Sequence, residues 1–312
     1  MKTRKTIYRE YIIPMVARLA ELHKGCPVLS VDCLGGGMHS IVYEIAFDDY
    51  ERWIVKVYKT HGLNAAEAKW LELAAPVYTV PQVKFCHGES DDYPFDALGM
   101  SYMQGKTLAN AVTFFTTRKK SKQLAEQAVS ALLRLQEVKS QKFGAIAEQF
   151  YTDWETFYGG WTEEVVRLAE KKVQDGILDR RIYKLAETGA LKMPFIMKDT
   201  TAQPVLVHGD LSVKNIIVKD GKVSAVIGPH ESFFGDPEYD MFRLDKYAGK
   251  KIGLLQEYKK SAALSEHAEM KCALYALIAE IKGSLETGLY DQKQLSKLAA
   301  VLEKQYKHFG LR

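Results

Sequence analysis

The stretch Val207-His208-Gly209-Asp210-Leu211-Ser212-Val213-Lys214-Asn215 decides how this chain is read, because it sets a carboxylate and a carboxamide at the two ends of one tight loop. Apolar residues precede it (Val205, Leu206, Val207) and follow it (Ile216, Ile217, Val218), so the polar residues fall at the tip of a strand-bounded loop. That spacing suits phosphoryl transfer, in which an Asp accepts the proton of an attacking hydroxyl and an Asn five positions on holds magnesium against nucleotide phosphates. Asp210 is the candidate base and Asn215 the candidate metal ligand. The competing role for Asp210 is a turn-capping carboxylate, which the interval to Asn215 disfavours.

Working outward, Lys219-Asp220-Gly221-Lys222 is an Asp-Gly turn between two apolar runs and predicts a hairpin leading into Val223-Ser224-Ala225-Val226-Ile227-Gly228-Pro229. In Gly235-Asp236-Pro237-Glu238-Tyr239-Asp240, Pro237 suits the first turn of a helix with Asp236 as its N-cap. Upstream, Leu34-Gly35-Gly36-Gly37-Met38-His39-Ser40 lies between two apolar segments and predicts strand, glycine turn, strand. Glycines allow close backbone approach and leave N–H groups free to face anionic oxygens. Three glycines between strands also make an ordinary hairpin. Trp53-Ile54-Val55-Lys56-Val57-Tyr58 places Lys56 inside an apolar strand, a costly position unless the ammonium finds an anion. Asn64 to Leu73 reads as a capped helix with Leu71 and Ala74 on the face of Glu67.

In order and spacing these elements resemble the aminoglycoside phosphotransferase and choline kinase-like family, which includes the fructosamine kinases. The family pattern is HGDxxxxN, a short hairpin, Ile-Asp-Trp or Ile-Asp-Pro, and then Gly-Asp-Pro-x-x-Asp. This chain reads His208-Gly209-Asp210, Asn215, Ile227-Gly228-Pro229 and Gly235 to Asp240, with Gly228 where the family carries its second metal-binding Asp. The resemblance covers nearly the whole chain. It implies an α+β, two-lobed protein-kinase-like fold: a small nucleotide-binding lobe over 1–103, with an antiparallel sheet and one main helix, and a large helical lobe over 104–312 carrying the catalytic loop and acceptor site.

The resemblance also implies roles. Gly35, Gly36 and Gly37 would cover the phosphates of ATP or GTP, Lys56 would contact them, and Glu67 would partner Lys56, with Glu72 as the fallback. The backbone of Ser101, Tyr102 and Met103, where the strand from Ala97 enters the interlobe hinge, would meet the adenine edge. His208 would brace the loop and Asp240 would cap its backbone N–H groups. Lys214 either neutralises charge near the transferred phosphoryl or faces solvent. Glu231 either swings in to replace the missing ligand or lies exposed. The implied activity is transfer of the γ-phosphate of ATP or GTP, with Mg2+, to a hydroxyl of a small polar molecule such as an aminoglycoside, an amino sugar or a choline-like acceptor. Nucleotide-bound magnesium needs only one or two protein carboxylates, and losing one electrostatic element costs on the order of a hundred- to a thousand-fold in rate. Gly228 therefore leaves slow turnover and no turnover both open. The alternative is a pseudokinase that binds nucleotide or a small ligand.

A chain of 312 residues, 47% hydrophobic, can fill two lobes. Ser121 to Val138, Trp154 to Val173 and Leu255 to Lys282 recur in apolar residues at helical spacing and predict long helices. The formal charge of +4 is modest, and the short runs Arg118-Lys119-Lys120 and Lys250-Lys251 read as solvated faces, so nothing argues for nucleic acid. Cys26, Cys33, Cys86 and Cys272 show no CxxC spacing and no CxxH or HExxH grouping occurs, which points to a reduced, cytoplasmic protein without structural zinc. The start Met1-Lys2-Thr3-Arg4-Lys5 is basic, but the apolar run Tyr11 to Ala17 soon gives way to Arg18, Glu21 and His23; an amphipathic helix is expected, not a signal peptide or membrane span. A cationic acceptor would need an acidic lining, for which Asp153, Glu155, Glu163, Glu164 and Glu231 are candidates, and Trp154, Tyr158 and Trp161 either stack on a sugar or cation or belong to the core. The oligomeric state is left open.

Overall fold

Along Ser40–Phe47 every second side chain is buried, the period of a strand with one face on a core. In the computed structural model, which describes residues 11–113, 116–201 and 203–311, that segment is the second strand of an antiparallel sheet. Its strands are β1 (Val28–Gly36), β2 (Ser40–Phe47), β3 (Arg52–Tyr58), β4 (Val83–His87) and β5 (Ala97–Ser101), hydrogen-bonded in the order β1-β2-β3-β5-β4. The central strand β3 carries Lys56, in register with Val42 and Leu98. Ile41, Tyr43, Ile45, Trp53, Val55 and Val57 pack with Val16 and Leu19 of helix α1 (Ile13–Lys24).

Helix α1 is the expected amphipathic segment, with Pro14 in its first turn, where a missing N–H costs nothing. The basic stretch Met1 to Lys5 lies outside the described residues. Helix α2 (Leu63–Ala74) carries Glu67, Leu71 and Ala74 on its buried face, but Asn64 does not cap it. The N-cap position is Gly62, with no side-chain cap, and Asn64 is buried inside the first turn, donating from Nδ2 to the His87 carbonyl at 2.8 Å.

Of the described residues, one compact unit takes those up to Lys106 with Ile217–Asp220 and Ser224–Gly228; the other takes Thr107–Ile216, Gly221–Val223 and those from Pro229 on. The larger unit is mostly helical: α3 (Leu108–Ala111), α4 (Arg118–Leu135), α5 (Trp154–Gln174), α6 (Arg180–Leu191), α7 (Met193–Met197), a 3-10 turn (Pro237–Asp240), α8 (Met241–Leu244), α9 (Gly249–Ile252), α10 (Leu254–Ser261), α11 (Ala268–Thr287) and α12 (Gln292–His308). Its short strands β7 (Gly144–Ala145), β8 (Val205–Leu206) and β11 (Phe233–Gly235) form one small sheet. The remaining strands β6 (Lys106–Thr107), β9 (Ile216–Lys219) and β10 (Lys222–Val226) include the expected hairpin. Asp220 and Gly221 both have positive φ, +49° and +73°, as a two-residue hairpin turn requires.

Trp154 and Tyr158 are each 1% exposed and belong to the aromatic core with Phe233, Tyr239 and Tyr275. The helix expected over Leu255 to Lys282 is two helices, α10 and α11. The break follows from a tertiary contact: Glu238 accepts the Ser265 backbone N–H at 2.6 Å and its hydroxyl at 2.8 Å, and Ala262 is extended. Among the described residues no helix is long and apolar enough to cross a membrane. All four cysteines are free thiols.

Candidate active site

The loop after β8 is fixed through its backbone. Val207 N–H donates to the Phe233 carbonyl at 2.9 Å, and the next two N–H groups, of His208 and Gly209, donate to Asp240 Oδ2 and Oδ1 at 3.0 and 2.8 Å. Gly209 has φ +79°, and a Cβ there would lie 1.9 Å from the His230 carbonyl oxygen, so the turn admits only glycine. His208 is buried, and its Nδ1 accepts the Asp210 backbone N–H at 3.2 Å. It braces the loop rather than meeting solvent.

Asp210 and Asn215 come together at the loop's tip. Asn215 Nδ2 donates to the Asp210 carbonyl at 2.7 Å and to its carboxylate Oδ2 at 2.9 Å. The amide nitrogen is thus committed to Asp210, and no partner for Asn215 Oδ1 occurs among the described residues, which leaves a hard oxygen ligand of the kind magnesium takes. Lys214 is exposed, with Nζ 3.6 Å from the ring centroid of Tyr247.

The carboxylate that holds the loop is itself buried. Burial pushes the Asp240 carboxyl up to about 6, against the two backbone N–H donors and Arg243, which favour the charged form. Asp236 caps the turn that carries Asp240, accepting the Glu238 N–H at 3.1 Å. Its other oxygen accepts from Tyr275 Oη at 2.6 Å and from Lys271 Nζ at 2.9 Å, while Lys271 also pairs with Glu238 at 2.5 Å. Lys271 is 1% exposed, and although burial alone would lower its pKa, the charges of Asp236 and Glu238 win and raise it.

Glu231 is neither exposed nor free. It sits at φ +52°, pairs with Lys282, and lies 3.6 Å from Arg243 Nη2, whose Nη1 is 3.7 Å from Asp210 Oδ1. Burial works to raise its carboxyl, but the charge of Lys282, with His230 and Arg243, holds it below the usual range. Gly228 has φ +65°, a left-handed backbone that Asp and Asn enter more readily than other side chains. Of the other acidic candidates, Asp153 caps α5 through the Thr156 N–H at 2.7 Å, and Glu164 pairs with Arg167 at 2.6 Å on the surface. Glu155 and Glu163 line an open groove with Gly159, Gly160, Glu170 and Glu187. Trp161 is half-buried, with Lys282 Nζ 5.6 Å from its ring.

In the smaller unit, Lys56 Nζ donates to Glu67 Oε1 at 2.5 Å, and Tyr58 Oη donates to Glu67 Oε2 at 2.6 Å. Glu67 is 5% exposed, so the pair is fixed and half desolvated, whereas the fallback Glu72 is exposed and meets Lys69 at 3.3 Å. Among the three glycines, Gly35 has φ +131° with open space around it; Gly36 pairs with Ile41; Gly37 donates to the Ser40 carbonyl at 3.0 Å. At the end of β5, the N–H groups of Ser101 and of the following Tyr102 are committed to the carbonyls of Gln82 and Arg52 at 2.9 and 3.2 Å. The Met103 backbone has no such partner among the described residues.

Three residues escaped the sequence reading. Tyr58 shares the strand of Lys56 and follows it by two positions, so the alternation that buries one places the other on the same face. Lys271, alone among Met270, Cys272, Ala273 and Leu274, was a detectable buried charge. Arg243 gave no signal.

A sequence model of the phosphotransferase enzyme family matches residues 33–270. No curated protein is matched by sequence. Among solved structures, the chain is similar to a putative fructosamine-3-kinase from Thermobifida fusca YX-ER1 at 20% identity and TM-score 0.71, over 94% of this chain and 98% of that one. A putative fructosamine-3-kinase from Haemophilus somnus 129PT is 17% identical, with TM-score 0.67 and coverage of 93% and 96%. A thermostable aminoglycoside phosphotransferase in ternary complex with ADP and hygromycin B is 16% identical, with TM-score 0.68 and coverage of 94% and 98%. The likeness gives the two-lobed kinase-like fold, and the match over residues 33–270 places this chain in the phosphotransferase enzyme family.

Proposed function

We propose that this chain is an ATP-dependent phosphotransferase acting on a hydroxyl of a small polar acceptor. One observation carries the reading: the Asp240-braced loop presents the Asp210 carboxylate and the Asn215 amide locked together. A protein that only bound ligand would have no chemical use for a fixed base. Asp210 takes the acceptor's hydroxyl proton as the new oxygen–phosphorus bond forms and the bond to the leaving ADP oxygen breaks, so the proton ends on the carboxylate and the electron pair on ADP. Asn215 Oδ1 would hold magnesium, whose contribution is to neutralise charge on the nucleotide's phosphates. By the family resemblance, Lys56, aimed by Glu67, would contact nucleotide phosphates, and the glycine turn from Gly35 to Gly37 would cover them. The unpartnered Met103 backbone suits the adenine edge, and the committed N–H groups of Ser101 and Tyr102 do not. The similar solved structures include two fructosamine-3-kinases by name and an aminoglycoside phosphotransferase holding hygromycin B, which supports a small hydroxylated acceptor without choosing it.

A second reading, a binding module without turnover, is favoured by Gly228, which withdraws a metal ligand. The test is transfer of label from γ-labelled ATP to a panel of hydroxylated metabolites by the parent and by Asp210→Asn. Labelled product from the parent alone, with nucleotide affinity alike in both, supports the phosphotransferase. Nucleotide binding with no product from any acceptor supports the module.

A further inference from the structure

Two cations beside the catalytic loop lack a hydrogen-bonded counter-ion among the described residues. The Arg243 side chain is 12% exposed, yet none of its five N–H donors makes a hydrogen bond among the described residues: Asp210 and Glu231 stand off at 3.7 and 3.6 Å, and Nε is buried without an acceptor. Three residues on, Lys246 is half-buried with Nζ 5.7 Å from the ring centroid of Phe242, whose face also carries the Arg243 guanidinium at 4.6 Å. No carboxylate pairs with Lys246 among the described residues. Burial and Arg243 lower its pKa, opposed more weakly by Glu280, Asp210 and Glu231. Glu231, at 3.6 Å the nearer of the two acids beside Arg243, is already neutralised by Lys282. A desolvated guanidinium that makes no hydrogen bond, although two carboxylates lie within 3.7 Å of it, and a half-buried ammonium without a counter-ion among the described residues both gain from an anion that can accept from them.

We propose that Arg243 and Lys246 form an anion subsite for the acceptor, so that the hydroxylated substrate carries a carboxylate or a phosphate held there while its hydroxyl meets Asp210. The inference rests on the phosphotransferase reading and narrows it. The planar fork of Arg243 accepts either anion in two-point fashion, and Lys246 adds a point charge. A polycationic acceptor would meet two like charges at this position, which costs affinity.

Calorimetric titration of the full chain without nucleotide tests this, using D-glycerate, D-gluconate, glucose 6-phosphate and inorganic phosphate beside glycerol, glucose and glucosamine, and then ADP. At least one anionic probe should bind about ten- to a hundred-fold more tightly than its uncharged counterpart. Lys246→Met and Arg243→Gln, each confirmed folded by a cooperative melt, should lose that preference; Lys246→Arg should keep most of it; ADP affinity should be the same in all. Absence of any preference for anions, or a preference that survives both neutral variants, overturns the proposal. Weakened ADP binding in Lys246→Met would also overturn it, by assigning the pair to the nucleotide's phosphates. Because binding is read without turnover, a protein that phosphorylates nothing defeats the kinase reading alone, while these titrations still decide the subsite.

Discussion

Asp240 accepts the backbone N–H of Gly209 at 2.8 Å from 31 positions further along the chain, and this contact sets the loop that presents Asp210. The brace has a pH signature. With its folded pKa raised to about 6, Asp240 favours the folded state most below its ordinary carboxylate value, and that contribution, roughly 3 kcal/mol, is lost as pH rises through about 6. The loop, however, needs the ionised form to hold two N–H donors. Turnover should therefore fall as pH drops through about 6, while the melting temperature of the parent rises relative to Asp240→Asn over the same window. A flat difference between the two melting curves across pH would show that this carboxyl is not raised.

Lys56 and Glu67 should behave as a unit. Magnesium nucleotide raises the melting temperature by binding only the folded state, and Lys56→Ala should remove most of that rise. Glu67→Ala should do the same and in addition lower stability by about 3 kcal/mol, because the Lys56 ammonium and the buried Tyr58 hydroxyl both lose their acceptor. An unchanged nucleotide response in Lys56→Ala, followed by thermal shift, would place the phosphates elsewhere.

Lys271 holds two buried carboxylates, Asp236 at 2.9 Å and Glu238 at 2.5 Å. Lys271→Met should cost roughly 3–5 kcal/mol by leaving that pair of negative charges without compensation. The loss should be smaller when Lys271→Met is made in an Asp236→Asn background, where one of the two charges is already gone. Chemical denaturation of the single and double variants reads both, and an equal loss in the two backgrounds would mean that packing, not charge, dominates.

Gly228→Asp separates two accounts of the missing ligand. At φ +65° an Asp costs about 1 kcal/mol over glycine, so the variant should fold. If the site is a kinase lacking one carboxylate, magnesium-dependent nucleotide affinity tightens and turnover rises by about a hundred-fold. A folded variant with no change in magnesium dependence would show that the chain does not use this position for metal.

What the sequence determined by itself was local. The spacing of Asp210 and Asn215, the Asp-Gly turn at 220–221, the alternation that lodges Lys56 in a strand, and the N-cap Asp236 with Pro237 behind it are encoded within a few residues by backbone geometry and turn chemistry, and they resemble a family strongly enough to imply the two-lobed fold. The tertiary structure decided what depends on residues far apart in the chain. Glu238 reaches Ser265 and interrupts a helix whose apolar period runs straight through; Asn64 leaves the cap it is suited to for the His87 carbonyl; Glu231, which its local sequence leaves either swung towards the metal position or exposed, is drawn in by Lys282; and Arg243 arrives beside Asp210 with its hydrogen bonds unmade. Periodicity records which face of an element is buried, but the partner that a buried charge meets there is supplied by another part of the chain, and only packing brings the two together.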